Sequence, residues 1–372
     1  MLYLYNAEAT DPDPGDVLSF NLVIAPAGMS INSDTGLISW TPTETGSFAV
    51  AVQVSDGEGG SDQQSWQIYV VTLPPNPAPE LNLTVGTTLG VASEYLYTGE
   101  NPIQTGVEPG TIDPVRAAVL RGKVTTRDGA PLSDATITVL NHPEFGQTLS
   151  RADGLFDMAV NGGGRLTVVY KRQGYLTAQR QREVPWQDYA WMPPVALIPL
   201  DGNVTHVDLE APGMKVARGS VETDADGPRQ ATILVPEGIT AELVLADGST
   251  QPISSLNVRA TEFTVGPNGP KAMPAELPPA SGYTYAVEIS TDEAIAADAP
   301  LVQFNEPVYF YIENFLGFKN GGGVPAGYYD RERGEWIPSP NGRVIQILSV
   351  TGGLADLDTN GDGQTGNYDQ NK

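Results

Sequence analysis

Short runs in which apolar and polar residues alternate recur along the chain, separated by clusters rich in Gly, Pro, Asp and Asn. Leu18–Val23 and Phe48–Val54 are the first such runs. Ala135–Val139, Leu166–Tyr170, Ala231–Val235, Ala241–Leu245, Tyr283–Ile289 and Val308–Ile312 follow. Alternation with a period of two buries one face of a β-strand, and the β-branched and aromatic content of these runs favours the pleated backbone. The one stretch with helical character is short, from Asp292 to Ala299. The pattern therefore predicts an all-β chain of tandem β-sandwich domains, with turns set by residues such as Gly129, which can take a positive φ after Asp128.

Punctuation divides the chain. Residues 1–72 read as one small sandwich, and Leu73-Pro74-Pro75-Asn76-Pro77-Ala78-Pro79 opens a linker expected to run over 73–114 as an extended, semi-rigid spacer. Residues 115–200 form a second sandwich, 201–350 a third β domain and 351–372 a polar tail. With 372 residues, 41 of them Gly and 31 Pro, several modest cores are expected in place of one large one.

Charge and composition narrow the chemistry. Forty-five acidic residues against 20 basic give a net charge of -25, distributed along the chain, which repels phosphate backbones and makes nucleic acid an unsuitable partner. The same surface suits hard divalent cations. No cysteine is present, so disulfides and thiolate chemistry are excluded. His142 and His206 are the only histidines; both read as surface residues outside any nucleophile motif. No apolar run is long enough for a membrane span, and the first residues lack the basic start of an export signal.

Three resemblances follow from quoted motifs. Ala9-Thr10-Asp11-Pro12-Asp13-Pro14-Gly15-Asp16, Thr35-Gly36-Leu37-Ile38-Ser39-Trp40-Thr41-Pro42 and Val54-Ser55-Asp56-Gly57 resemble the bacterial immunoglobulin-like, cadherin-like repeat. That resemblance implies a strand ahead of Tyr3, so residues 1–72 are expected to form a sandwich incomplete at its leading edge. Val119–Thr125, Ser150–Phe156 and Gly174-Tyr175 resemble the carboxypeptidase regulatory-like, transthyretin-like domain, which implies a seven-strand sandwich without an active site. This domain, followed by Val258–Gly266, Ser281–Glu288, Pro307–Gly317 and Val324–Asp330, is similar to the segment ahead of the tyrosine-aspartate (YD) repeat shell in Rhs-like, teneurin-like proteins. In that family a transthyretin-like domain and a fibronectin-like plug sit at the mouth of a hollow β shell.

Candidate chemistry is sparse. Glu313 with Asp330, Glu332 or Glu335 is the best carboxylate set for a glycosidase-like pair, and solvated loop charges are the plainer reading. The basic stretch Arg151, Arg165, Lys171, Arg172, Arg180 and Arg182 reads as a mixed-charge sandwich face. Asn161-Gly162-Gly163-Gly164 and Asn320-Gly321-Gly322-Gly323 lack the Lys and Ser/Thr of a phosphate loop and read as loop tips. Asn82 and Asn203 sit in glycosylation sequons. The aromatics from Phe304 to Trp336, including Tyr309, Tyr311 and Phe315, are expected to fill the core of the third domain.

Calcium is the one cofactor the motifs favour. Asp358, Asn360 and Asp362 fall at positions 1, 3 and 5 of an EF-hand-like, dockerin-like loop, with Gly363 at the sharp turn, Gln364 offering its carbonyl and Asp369 closing at position 12. Asp11, Asp13 and Asp56 form a weaker set, of the kind cadherin-like modules share between loops. The chain is thus expected to be a non-catalytic structural or interaction region of a secreted or cell-surface protein. Its partner would be a downstream YD-repeat shell of the same protein or another cell-surface molecule. An adhesin or accessory carbohydrate-binding region of an extracellular carbohydrate-active enzyme is the alternative.

Overall fold

A computed structural model describes all residues except 1, 12, 14–15, 45, 71–77, 79–83, 85, 267, 279–280 and 367–372. Strands make up 45% of the chain and helices 6%, so the all-β expectation stands. Two compact units are present, Met1–Ala78 and Pro79–Lys372.

The first unit has strands β1 (Tyr3–Asn6), β2 (Ser19–Ile24), β3 (Ser30–Ile31), β4 (Leu37–Trp40), β5 (Gly46–Ser55) and β6 (Ser61–Val70). They form two three-stranded sheets, ordered β1-β4-β3 and β2-β5-β6, with antiparallel pairing throughout. Ala7, Phe20, Ile38 and Val52 make the shared core. Trp66 Nε1 donates to Tyr3 Oη at 3.1 Å, and Trp40 Nε1 donates to the Ala27 carbonyl at 3.1 Å, so the half-buried and the buried indole N–H are both satisfied. Gly36, at φ +70, lies so close to the Ala7 carbonyl that no Cβ fits, which is why the turn before β4 takes glycine. Strand β1 is the edge of its sheet, and its outer side carries no strand among the described residues.

The second unit opens with α1 (Leu89–Ser93), capped by Thr88, whose Oγ1 accepts from the Val91 amide. Strands β7 (Ala117–Thr125), β8 (Thr136–Val139), β9 (Thr148–Leu149), β10 (Leu155–Asn161), β11 (Gly164–Lys171), β12 (Ala178–Val184), β13 (Tyr189–Trp191) and β14 (Val195–Ala196) build a sandwich. One sheet runs β10-β7-β13, with β14 also on β7, and the other runs β12-β11-β8-β9. Strands β13 and β14 pair with β7 in parallel, whereas β10 pairs with it antiparallel. Leu120, Ile137, Phe156, Met158, Val168 and Tyr170 are fully buried between the sheets. Each contributes about 1.5–3 kcal/mol of burial. Gly129 takes φ +88 in the turn after β7, as its sequence position predicts.

The spacer expected over 73–114 ends earlier. Leu96 and Ile112 are part of the sandwich core. Gln104 is fully buried; its Nε2 donates to the Phe145 and Ala159 carbonyls at 2.8 and 2.9 Å, and its Oε1 accepts from the Ala159 amide at 2.7 Å. Poor periodicity hid this segment because it covers the sheet with single anchors spaced along irregular backbone.

Strands β15 (Thr205–Asp208), β16 (Lys215–Arg218), β17 (Glu222–Asp224), β18 (Gly227–Arg229), β19 (Thr232–Val235), β20 (Ala241–Val244), β21 (Thr250–Ile253) and β22 (Ser255–Glu262) come next. After helix α2 (Gly269–Ala272) come β23 (Val287–Thr291), helix α3 (Asp292–Ala296), β24 (Leu301–Phe304), β25 (Tyr309–Tyr311), β26 (Gly323–Asp330), β27 (Glu335–Arg343), β28 (Gln346–Thr351) and β29 (Leu354–Asp358). Three three-stranded sheets result, ordered β15-β22-β23, β16-β19-β25 and β21-β20-β24; β17-β18, β26-β27 and β28-β29 are hairpins. Val207, Ala217, Ile233, Val235, Leu256 and Val258 form their core. The tail expected over 351–372 begins as strand, since Leu354–Asp358 pairs with Gln346–Thr351.

The aromatic expectation is corrected. Tyr309 and Tyr311, on the edge strand β25, are 51% and 39% exposed. Phe315 is half-buried beneath the Arg229 guanidinium, 4.7 Å from its ring centre. Trp336 is half-buried, packing on Leu176, Ile198, Phe263 and Met273 while its Nε1 donates to the Glu276 carbonyl at 3.0 Å. The basic stretch is not one face either: Arg165 pairs with Glu183 on the surface, Arg151 pairs with Asp157, and Arg180 is buried.

Replacing Gln104 by Leu strips three buried backbone groups of their partner, and an orphaned buried polar group costs about 1–3 kcal/mol. Gln104→Leu is expected to lower the stability of the second unit by about 2–4 kcal/mol in denaturant unfolding; a change within error would detach residues 88–112 from the folded unit.

Candidate functional site

The loop after β29 is the most organised polar cluster. Asp358 is 1% exposed. Its Oδ1 accepts from the Asn360 and Gly361 amides at 3.1 and 2.7 Å, and its Oδ2 accepts from the Gly363 amide at 2.9 Å and from Asn320 Nδ2 at 3.1 Å. Burial alone would raise its pKa; the backbone donors at Gly361, Gly363, Asn360 and Asp362 outweigh that and hold the carboxyl below its ordinary range. Two further turns of the same kind follow, in which the Asp362 amide donates to Asn360 Oδ1 at 3.1 Å and the Gln364 amide to Asp362 Oδ1 at 2.8 Å. This succession curls the backbone so that the side chains at 358, 360 and 362 lie along one loop.

The donor set fits a hard cation in kind, with carboxylate, amide and carbonyl oxygens at alternate positions. Asn360 Nδ2 donates to Asp362 Oδ2 at 2.9 Å, so an ion held between these two side chains requires the amide to turn over. Asp369, the closing position, lies outside the described residues.

Asn320 is the residue the sequence reading missed. It also donates to Gln346 Oε1 at 3.0 Å, tying the Asn320–Gly323 loop and strand β28 to the base of the Asp358 loop. A signal existed: Gly321 (φ +77) and Gly361 (φ +82) each sit where a Cβ would meet the other segment's backbone, so the Gly-rich stretch after Asn320 is a close-approach device. The stretch Asn161–Gly164 is likewise a tight turn, between β10 and β11.

In the first unit the carboxylate oxygens of Asp11, Asp13 and Asp16 lie within 4.8 Å of one another, close enough to share one cation. Asp16 was not among the expected ligands. Asp56 is not in that group. Its carboxylate accepts from the Glu58, Gly59 and Gly60 amides at 2.8, 2.9 and 3.0 Å, which makes it the clamp of its own turn.

The proposed carboxylate pair is spent on backbone. Glu313 Oε2 accepts from the Gln230 amide at 2.7 Å, and Asp330 Oδ1 accepts from the Glu332 and Arg333 amides at 3.0 Å each. The most buried acidic cluster is also neutralised: Arg229 bonds Asp224 through two parallel contacts of 2.7 and 2.8 Å and Glu262 at 2.6 Å, holding the Asp224 carboxyl far below its usual range. His142 Nδ1 lies 2.9 Å from Glu144, and His206 lies 3.2 Å from Asn257. Asn203 Nδ2 donates to the Arg218 and Gly219 carbonyls, while Asn82 lies outside the described residues.

Comparison with known proteins agrees with this architecture. Residues 112–197 match the family model for the teneurin TTR-like domain, and residues 2–71 match that for the Putative Ig domain. Mus musculus Teneurin-3 is 27% identical over 179 residues, 47% of this chain and 6% of that protein. Mus musculus Teneurin-4 is 30% identical over 180 residues, again 47% of this chain and 6% of that protein. The chain thus spans a small fraction of these relatives. Among solved structures, a 3-chlorocatechol 1,2-dioxygenase from Rhodococcus opacus is similar over 36% of this chain and 71% of its own at a TM-score of 0.21 and 12% identity, a level that carries no argument.

A carboxyl whose pKa is lowered by folding stabilises the fold above its ordinary value of 3.8, and that contribution is lost as pH falls through the lowered value. The melting temperature of Asp358→Asn is therefore expected to lie well below wild type at neutral pH, with the gap closing below about pH 4. A gap independent of pH in calorimetric scans would assign the loss to packing alone.

Proposed function

We propose that this chain is a non-catalytic region of a larger extracellular or cell-surface, teneurin-like protein of the Rhs type, in which the end of the second unit seats against a downstream YD-repeat β shell. The observation that carries this reading is the distribution of uncovered apolar surface. Tyr309, Phe310 and Tyr311 on β25, Tyr328 on β26, Ile347 and Val350 on β28 and Leu354 on β29 are all between 39% and 77% exposed. Strands β25 to β29 help to line one broad concavity of about 5010 Å³. Large apolar patches of this kind mark interaction surfaces in soluble proteins. The match of residues 112–197 to the teneurin TTR-like domain supports the teneurin-like part of this reading. No helix among the described residues is long and apolar enough to cross a membrane.

The Asp358 loop belongs to the same reading. It lies at the end of the β28-β29 hairpin, where Gln346 pairs with Asp358, and calcium held by Asp358, Asn360, Asp362, the Gln364 carbonyl and Asp369 would stiffen the exit from the plug-like domain. The triad Asp11, Asp13 and Asp16 is a second, weaker candidate in the first unit.

Two experiments test these parts separately. In a chain extended beyond Lys372, amide exchange at Tyr309–Tyr311 and Gln346–Thr351 is expected to slow at least about tenfold relative to this chain alone. Equal exchange, or a gene without a shell-encoding continuation, would overturn the seating. Titration calorimetry with calcium is expected to show binding that disappears in the double variant Asp358→Ala, Asp362→Ala; equal heats in both proteins would remove the calcium site.

A further inference from the structure

A second unexplained surface lies on the sheet β10-β7-β13, which none of β25–β29 joins. Strand β13 presents Tyr189 and Trp191 two residues apart, so both project from the same side of the sheet. They are 42% and 57% exposed, and no hydrogen-bond partner is found for the Tyr189 hydroxyl or the Trp191 indole N–H among the described residues. Arg121 on β7, the register partner of Trp191, holds them: its guanidinium lies 4.7 Å from the Tyr189 ring centre and 5.7 Å from that of Trp191. The rings are therefore fixed in place while much of their surface stays in water.

Charge selects what can cover them. Asp157, buried on β10, accepts from Arg121 Nε at 2.5 Å and from Arg151 at 2.9 Å, and Asp153 lies 3.9 Å from Arg151, so two guanidiniums face two carboxylates and the patch is locally neutral. An anionic ligand meets a chain of net charge -25, with exposed Lys123 on β7 the nearby cation outside the ion pairs. A cationic ligand is repelled by the Arg121 guanidinium that lies against both rings. An extended apolar protein surface would bury the Arg121–Asp157–Arg151 array without replacing its water. A flat neutral polyol meets both halves of the patch, with its C–H face on the rings and its hydroxyls on the ion-paired groups.

We propose that Tyr189, Trp191 and the Arg121–Asp157 pair form a binding platform for a neutral pyranose oligosaccharide. Affinity electrophoresis and calorimetry of the full chain with cello-, chito-, xylo-, manno- and laminari-oligosaccharides test it. At least one of these is expected to bind, with affinity falling about tenfold or more in Trp191→Ala and in Tyr189→Ala at unchanged melting temperature. Trp191→Phe, which keeps a ring on the strand, is expected to retain intermediate affinity. The proposal fails if none of these sugars binds at millimolar concentration, if both alanine variants bind as wild type does, or if the sugars are inert while a polypeptide is held through Trp191.

Discussion

The second unit turns on one buried cation. Arg180, on β12, is 1% exposed and its guanidinium has no salt bridge among the described residues. It donates instead to carbonyl oxygens, those of Gln179 and Met273 at 2.6 and 3.1 Å, of Lys271 at 2.5 Å and of Pro194 at 3.4 Å. Burial lowers its pKa, while Tyr170, Glu276 and Tyr329 work in the opposite direction. A buried charge is tolerable only where dipoles replace the lost water, and here the carbonyls come from both the sandwich and the segment around helix α2. The two β domains of this unit are consequently held by a requirement for solvation as well as by apolar contact.

The neighbours of Arg180 extend that seam. The Gln179 amide donates to the Pro274 carbonyl at 2.7 Å, its Nε2 to the Arg331 carbonyl at 2.9 Å, and its Oε1 accepts from Tyr329 Oη at 2.7 Å. Gln181 Nε2 reaches the Gly334 carbonyl at 2.9 Å. Three consecutive residues of one strand thus fasten helix α2 and the β26-β27 hairpin. Burial pushes the Tyr329 phenol up to about 12, the direction expected of a hydroxyl closed into such a seam. Leu176, Ile198, Phe263 and Met273 supply the apolar layer beside it.

What could be read from the sequence follows from how each feature is encoded. Alternation in Ala135–Val139 or Ala241–Leu245 is local, and both runs are strands as expected. Gly129 declares its turn because its φ of +88 disfavours other residues. Gln104 and Arg180 were not legible, since a polar residue looks solvent-exposed until distant carbonyls reach it, such as Phe145, 41 positions from Gln104, and Met273, 93 positions from Arg180. The Asp358 loop was legible as a spacing of oxygens, yet its Asn320 donor, 38 residues earlier, was not. Tyr309 and Tyr311 misled for the converse reason: strand periodicity identifies an apolar face without revealing whether anything covers it.

The parallel pairing of β7 carries a consequence for how the sandwich is made. Its antiparallel partner β10 arrives after the chain has passed through β8 and β9 of the other sheet, whereas β13 and β14 return to it later still, with Thr125 and Val195 separated by 70 positions where their residues touch. A chain emerging from the ribosome therefore exposes one edge of β7 through most of the domain's synthesis, and the sheet closes only once the Trp191 region has been made. Non-local closure of this kind slows folding and leaves an unpaired edge open to wrong partners in the interval. The segment that wraps the outside from Leu89 to Ile112 is already synthesised by then, so it can shield the nascent sheet before the last strands dock.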